Sequence, residues 1–211
     1  MTPEVQTWLS AAGYEYHCFI SWPHIADHEI AECARRVKEA IESELRYSVP
    51  DPRVFLDETN ISVGDVWRNV LSQALCRSVA MVAICAPIYY HPAHPWCGVE
   101  WAGMEQLSNK RLENLSFGTI IPIVVRERKA VPEVVAKFQY VDFSRTQIQG
   151  RHYYSTQEFR GRIVQVVERI ENIAAALVKN NRPADCNKFV FPESSAFANL
   201  VVDEQGMPFG G

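Results

Sequence analysis

The pattern of apolar and polar residues divides the chain into alternating strand-like and helix-like segments. Five short apolar runs, rich in β-branched or aromatic residues and bounded by proline or polar residues, are typical of strands; they cover 14–22, 53–57, 79–86, 118–125 and 140–143. Apolar residues spaced by three and four predict amphipathic helices between them; these cover 26–45, 65–76, 95–107 and a segment opened by the capping-box pair Ser155 and Glu158. The charged connection 126–135 leaves room for one short helix.

This alternation predicts an α/β fold: a flavodoxin-like five-stranded parallel sheet with helices on both faces. We expect residues 14–180 to form this domain, after an N-terminal extension over 1–13. Residues 181–211 lack a helical period and contain three prolines. They are therefore either an ordered strap over the domain or a C-terminal tail that links it to something else.

Composition and charge narrow the possible partners. The 47% hydrophobic and 22% charged content is ordinary for a globular protein. A net charge of −4 without a basic cluster argues against a nucleic-acid partner. The longest apolar runs are too short to span a bilayer, and the first twelve residues lack the features of a secretory signal. We therefore expect a cytoplasmic protein with no membrane partner.

Six cysteines are scattered along the chain with no C-x-x-C pair. Because nothing indicates secretion and a domain of this size needs no covalent staples, we expect all six thiols to be reduced, mostly buried and inert. The histidines do not combine with them at zinc-finger spacing, so no metal site is expected. His24 and His28 are four residues apart but are interpreted as two solvated side chains.

Chemistry-bearing side chains gather where the predicted strands end. Ligands bind open α/β sheets beyond the carboxyl ends of the strands, where the strand order reverses, which in this order lies between the first and third strands. The residues expected there are Ser21 and Trp22 after strand one, Asp57 after strand two, and Trp96 and Glu100 after strand three. Trp96 and Glu100 are one helical turn apart, so an indole and a carboxylate share a face. That pair suits a ligand with a flat base and a sugar.

Each of these residues also has a purely structural interpretation. Glu100 could be a solvated helix glutamate, Trp96 a core residue, Trp22 a cap on the sheet edge, and Asp57 a turn cap. Five neighbouring residues are interpreted as structural: Tyr89 and Tyr90 as loop anchors, and Cys97, Trp67 and Trp101 as packing residues. The sequence lacks the G-x-G-x-x-G, P-loop and G-x-S-x-G signatures, which argues against dehydrogenases, P-loop enzymes and α/β-hydrolases.

Three segments resemble motifs of the TIR (Toll/interleukin-1 receptor) domain family, especially its bacterial NAD-cleaving members. HCFISW (17–22) is similar to the first conserved box, and VFLDETNISVGDVWRNVLSQAL (54–75) to the second strand, the following BB loop and its helix. VAICAPIYYHPAHPWCGVEW (82–101) contains the family's W-C-x-x-E motif. The sequence departs from the family at Trp22, where tyrosine is commoner, and in a longer loop before Trp96.

The resemblance implies an NAD⁺ glycohydrolase or cyclase that cleaves the nicotinamide–ribose bond, with Glu100 as the catalytic residue. It also implies that Phe19, Ser21 and Trp22 line the nucleotide site, that Trp96 stacks on a ring and that the loop beginning at Asp57 gates entry. NAD would be the substrate, with no cofactor and no metal. Bacterial relatives act in anti-phage defence after self-association through TIR surfaces, sometimes with a sensor domain or upstream signal protein. The alternatives are a non-catalytic TIR adaptor and another nucleotide reaction in the same pocket.

Overall fold

The computed structural model describes residues 1–25, 28–57, 66–92, 95–112, 118–126, 131–144 and 153–200. Strands and helices alternate along this part of the chain, as the sequence pattern predicts. The helices are α1 Pro3–Ala11, α2 His28–Leu45, α3 Trp67–Cys76, α4 Pro95–Arg111, α5 Glu133–Ala136 and α6 Gln157–Lys179. The strands are β1 Tyr16–Ser21, β2 Val54–Phe55, β3 Ser78–Cys85, β4 Ile120–Val124 and β5 Val141–Asp142, and 3₁₀ turns cover Pro87–Tyr90 and Tyr153–Ser155.

The five strands form one parallel sheet in the order β2-β1-β3-β4-β5. This confirms the predicted flavodoxin-like α/β fold. Ser21, the last residue of β1, pairs with Ala83 of β3. The carboxyl ends of β1 and β3 therefore lie side by side. From these ends the chain continues towards opposite edges of the sheet. This is the predicted point where the strand order reverses, and we call it the β1–β3 crossover.

Helices cover the sheet in two groups. Helix α6 contacts both α1 and α2, and α3 contacts α4. All eight residues of β3 are buried, as expected for a central strand covered on both faces. No helix in the described ranges is both long and apolar enough to cross a membrane.

Some element boundaries differ from the predictions. Helix α6 is capped by Thr156, whose Oγ1 accepts a hydrogen bond from the Phe159 amide at 3.2 Å, so the predicted capping box on Ser155 was wrong by one residue. Ser155 instead ends a 3₁₀ turn. Helix α3 begins at Trp67; the predicted start at Asp65 lies outside the described residues.

The N-terminal residues pack against the domain. Helix α1 is capped by Thr2 and contacts α6, and its Leu9 is buried as part of the core. The terminal ammonium of Met1 forms an ion pair with Glu171 of α6.

Residues 182–200, which we call the C-terminal strap, run back across the domain. The strap starts beside α1, where the Ala184 amide donates to the Ala12 carbonyl at 2.9 Å. It then buries Phe191 and Phe197, whose side chains are 3% and 1% exposed. Helix α4 is consequently buried on most sides, because the sheet covers one face and the strap another. This explains why α4 lacks a clear polar face.

A disulfide joins Cys76, at the end of α3, to Cys186 of the strap. The prediction that all six thiols are reduced was therefore wrong for this pair. The two cysteines are 110 residues apart in sequence, and folding of the strap brings their Cα atoms to 5.8 Å. That distance lies within the range that a disulfide requires. The other four cysteines are free and buried, as predicted.

Candidate functional site

Two strand ends and one helix start bring the central side chains together. Strand β1 stops at Ser21 because Pro23, two residues later, cannot donate to a sheet ladder. Helix α4 begins at Pro95, a residue well suited to a first helical position because its missing N–H would have no helical partner. Glu100 lies on the second turn of α4 and is only 6% exposed.

Glu100 is held by a short chain of hydroxyl groups. The Ser21 hydroxyl donates to Oε2 of Glu100 at 2.5 Å, and its oxygen lies 2.8 Å from the hydroxyl of Tyr89. A serine hydroxyl has one proton to donate and can also accept. When Ser21 donates to Glu100, Tyr89 is therefore the donor to Ser21.

Burial raises the pKa of Glu100 to about 8. The hydrogen bond from Ser21 opposes this increase, the nearby charge of Asp57 adds to it, and His24 opposes it. A carboxyl group whose pKa lies this far above its ordinary value, next to a strand crossover, is typical of a functional site. The group changes protonation state close to physiological pH.

Asp57 is the centre of a second cluster. The indole N–H of Trp22 donates to Oδ1 of Asp57 at 2.9 Å, and Nε2 of His24 lies 2.5 Å from Oδ2. The rings of Trp22 and His24 are 4.2 Å apart. The prediction that His24 is simply solvated was therefore wrong: its side chain is about half exposed but is fixed by Asp57 and Trp22.

The remaining predicted residues lie differently. Trp96 is 36% exposed, and its ring packs edge-on against Trp67 at 4.4 Å, with the Arg68 guanidinium 5.6 Å above it. Trp67, which we expected to be a packing residue, does pack on Trp96 but is itself 43% exposed. Phe19 is buried and stacked on Phe55 at 5.1 Å, where it supports the site from within the core.

Cysteine and metal chemistry receive no support among the described residues. Burial raises the pKa of the Cys97 thiol well above its usual value, and the neighbouring Glu100 raises it further. Cys97 is therefore a poor nucleophile at neutral pH. No cluster of three or more histidine, cysteine or carboxylate side chains in these ranges could hold a metal ion.

Two members of the site were not found from the sequence. Tyr89 was interpreted as a loop anchor, and His24 as solvated. Tyr89 reaches Ser21 because residues 87–90 form a 3₁₀ turn directly after β3. His24 reaches Asp57 because the chain turns back over the end of β1, a path with no periodic sequence signal.

A cavity of about 860 Å³ lies elsewhere, among α4, the β4–β5 edge and α6. Its walls include Ser108, Phe138 and Arg169, and it does not contain Glu100. We do not assign the functional site to it, because Glu100, the one described carboxyl group with a strongly raised pKa, lies at the β1–β3 crossover. Residues 58–65 and 93–94, which flank that crossover in sequence, lie outside the described residues.

The chain is thus a flavodoxin-like α/β domain with a buried glutamate after its third strand. Residues 18–155, more than half of the chain, match the family described as TIR domain, and the chain belongs to that family. Among solved structures it is similar to the TIR domain of the Toll-related receptor TRR-2 from the lower metazoan Hydra magnipapillata. The identity is 16%, covering 70% of this chain and 98% of the other, with a TM-score of 0.41. No curated protein sequence matches the chain.

Proposed function

We propose that this TIR domain is an NAD⁺ nucleosidase, with Glu100 as its catalytic residue. The observation that carries the proposal is the buried Glu100 carboxyl group, held by Ser21 at the β1–β3 crossover. Membership of a family that includes NAD-cleaving enzymes gives the substrate class. The proposal includes activation by self-association and a role in bacterial anti-phage defence in the cytoplasm, both from the family resemblance.

The chemistry follows from the charge on the substrate. The nicotinamide ring of NAD⁺ is cationic, and an opposite charge nearby lowers the pKa of a carboxyl group, so substrate binding favours ionised Glu100. As the bond between ribose C1′ and the nicotinamide nitrogen breaks, its electron pair goes to that nitrogen. Positive charge then develops on the sugar, where the carboxylate stabilises it.

The second half of the reaction requires a nucleophile at C1′. Water would add its hydroxyl group and release a proton to give ADP-ribose, or the adenine of the same molecule would attack to give a cyclic isomer. Trp22 and the Asp57 cluster lie next to the same strand end and would contact the nucleotide. Trp96 would offer its exposed face to a ring.

A specific observation also supports the second candidate, a non-catalytic adaptor that binds other TIR domains. Three large apolar side chains are exposed close to one another: those of Val66, Trp67 and Trp96. Val66 is 66% exposed. Exposed clusters of large apolar side chains often mark protein interaction surfaces. This surface suits self-association in either candidate function.

Turnover at different protein concentrations separates the two candidates. Purified protein is incubated with NAD⁺ while dilute and while concentrated or crowded, and nicotinamide and ADP-ribose products are separated by chromatography. The enzyme proposal expects products that increase more than linearly with protein concentration and disappear in Glu100→Ala. Glu105→Ala, which removes a partly exposed glutamate of the same helix that pairs with Lys137, serves as the matched control. An adaptor would self-associate but release no nicotinamide at any concentration.

A further inference from the structure

The C-terminal strap crosses α4 two residues before Glu100. The Ala196 amide donates to the Gly98 carbonyl at 3.0 Å. A Cβ atom on residue 98 would lie 1.8 Å from the Ser195 hydroxyl oxygen, far inside van der Waals contact. A side chain at position 98 would force Ser195 to shift, so glycine allows the strap to approach the helix this closely.

Phe197 is the residue by which the strap enters the core. Its side chain is 1% exposed and fits among three aromatic rings. The ring centroids of Tyr90, Trp101 and Tyr89 lie 5.4, 5.7 and 5.9 Å from that of Phe197. These separations are typical of edge-to-face aromatic contacts, which restrict the orientation of each ring.

One of those three rings belongs to the hydroxyl chain at the site. The Tyr89 hydroxyl lies 2.8 Å from Ser21, and Ser21 donates to Glu100. Burial raises the pKa of Tyr89 well above its usual value, so the hydroxyl keeps its proton and remains able to donate. Hydrogen bonds arranged in such a chain strengthen one another.

We propose that Phe197 is a positioning residue for Glu100, acting through Tyr89 and Ser21. The docked strap fixes the Tyr89 ring, so that its hydroxyl donates to Ser21 and directs the Ser21 proton towards the carboxylate. The strap lies outside the residues that match the TIR family, which makes this contact a feature of this chain's own C-terminal segment. The catalytic consequence rests on the proposed function, but the coupling between the strap and Glu100 does not.

A double-mutant cycle with an activity-independent readout tests the coupling. The full chain carries Phe197→Leu, Tyr89→Phe or both, and the titration of the Glu100 carboxyl carbon is followed by NMR, with the signal assigned through its loss in Glu100→Gln. Leucine keeps an apolar side chain in place and limits water entry. Phe189→Leu, which changes another aromatic residue of the strap, is the control, and Phe197→Met replaces Phe197→Leu if that variant does not fold.

Each single change is expected to weaken the hydrogen bond from Ser21 to Glu100 and to move the midpoint of the Glu100 titration upward by about 0.3 pH units. The shift is small because a neighbouring hydrogen bond in a chain strengthens the next one by only a modest fraction. The double variant is expected to match Tyr89→Phe alone, and Phe189→Leu to match the wild type. An unchanged titration in Phe197→Leu, or additive shifts in the double variant, would overturn the proposal.

Turnover in the same proteins separates this proposal from the proposed function. If the wild type cleaves NAD⁺, Phe197→Leu should lower kcat about twofold, the factor that a 0.3 pH shift represents, with little change in KM, and the effect should vanish in the Tyr89→Phe background. If the wild type releases no nicotinamide, the proposed function fails, while the titration still decides whether the strap is coupled to Glu100. A loss of kcat that persists in the Tyr89→Phe background contradicts the coupling.

Discussion

Glu100 imposes a pH dependence on the stability of the fold. Its carboxyl pKa is about 8 in the folded protein, compared with an ordinary value of 4.5, because burial disfavours the charged form. A raised carboxyl pKa means that the native state binds the proton more tightly than the unfolded chain. The stabilisation that the native state gains from binding this proton more tightly is therefore complete below about pH 4.5 and is lost as pH rises towards 8.

The magnitude follows from these two values. Between them, one proton bound more by the native state corresponds to a slope of about 1.4 kcal/mol per pH unit. Allowing for partial protonation at both ends, the wild type should lose about 3 kcal/mol of unfolding free energy through this group from pH 5 to pH 7.5. That amount is a large part of the stability of an ordinary domain.

Glu100→Gln removes the titration while keeping the shape of the side chain and an oxygen that accepts from Ser21. The variant should match the wild type within about 1 kcal/mol at pH 5. At pH 7.5 it should be more stable by about 3 kcal/mol. Urea unfolding of both proteins at several pH values gives the difference directly, free of the other titrating groups that they share.

Glu39→Gln, at an exposed position of α2, shows what a glutamate-to-glutamine exchange does away from the site. The informative quantity is the pH dependence of the difference in unfolding free energy between variant and wild type. If the difference in unfolding free energy between Glu100→Gln and wild type stays constant from pH 5 to 7.5, the conclusion that burial raises the pKa of Glu100 is refuted.

Three further outcomes follow from the same contacts. The kcat/KM for NAD⁺ should rise at least about tenfold from pH 6.5 to 8.5, because Glu100 of the enzyme without substrate ionises in this range. A value of kcat/KM that does not change with pH contradicts this. Ser21→Ala should lower kcat/KM by about tenfold and move that rise to higher pH, because the carboxylate loses a charge-assisted hydrogen bond, whereas Ser72→Ala should leave both unchanged. Cys186→Ser should lower the unfolding free energy by about 2–5 kcal/mol in urea, and alkylation of unreduced, denatured wild type should label four cysteines; labelling of all six would show that the disulfide is absent.

The sheet and the contact between Ser21 and Glu100 were predictable because both follow from local patterns. The continuous apolar run of β3 and its fully buried strand agree, since a central parallel strand needs apolar residues on both faces. The reversal of strand order between β1 and β3 places the ends of both strands together, and with them Ser21 and Glu100. Parallel strands and short connections leave few alternatives for residues at their ends.

The contacts that the sequence did not reveal are long-range and involve segments without periodicity. Cys76 and Cys186 are brought together only by the path of the strap. The same is true of Phe197, which reaches Tyr89 from more than a hundred residues away. The contact between His24 and Asp57 depends on how the chain turns after β1, which one proline does not specify.

The rate of nicotinamide release by Glu100→Gln, compared with wild type under assembling conditions at pH 8, tests the central claim most directly. Glutamine preserves the volume and can accept the Ser21 hydrogen bond but carries no charge, so the comparison isolates the carboxylate. We expect the rate to fall by at least about a hundredfold, corresponding to a loss of about 3 kcal/mol of transition-state stabilisation. Equal rates in the two proteins would contradict the assignment of the chemistry to Glu100.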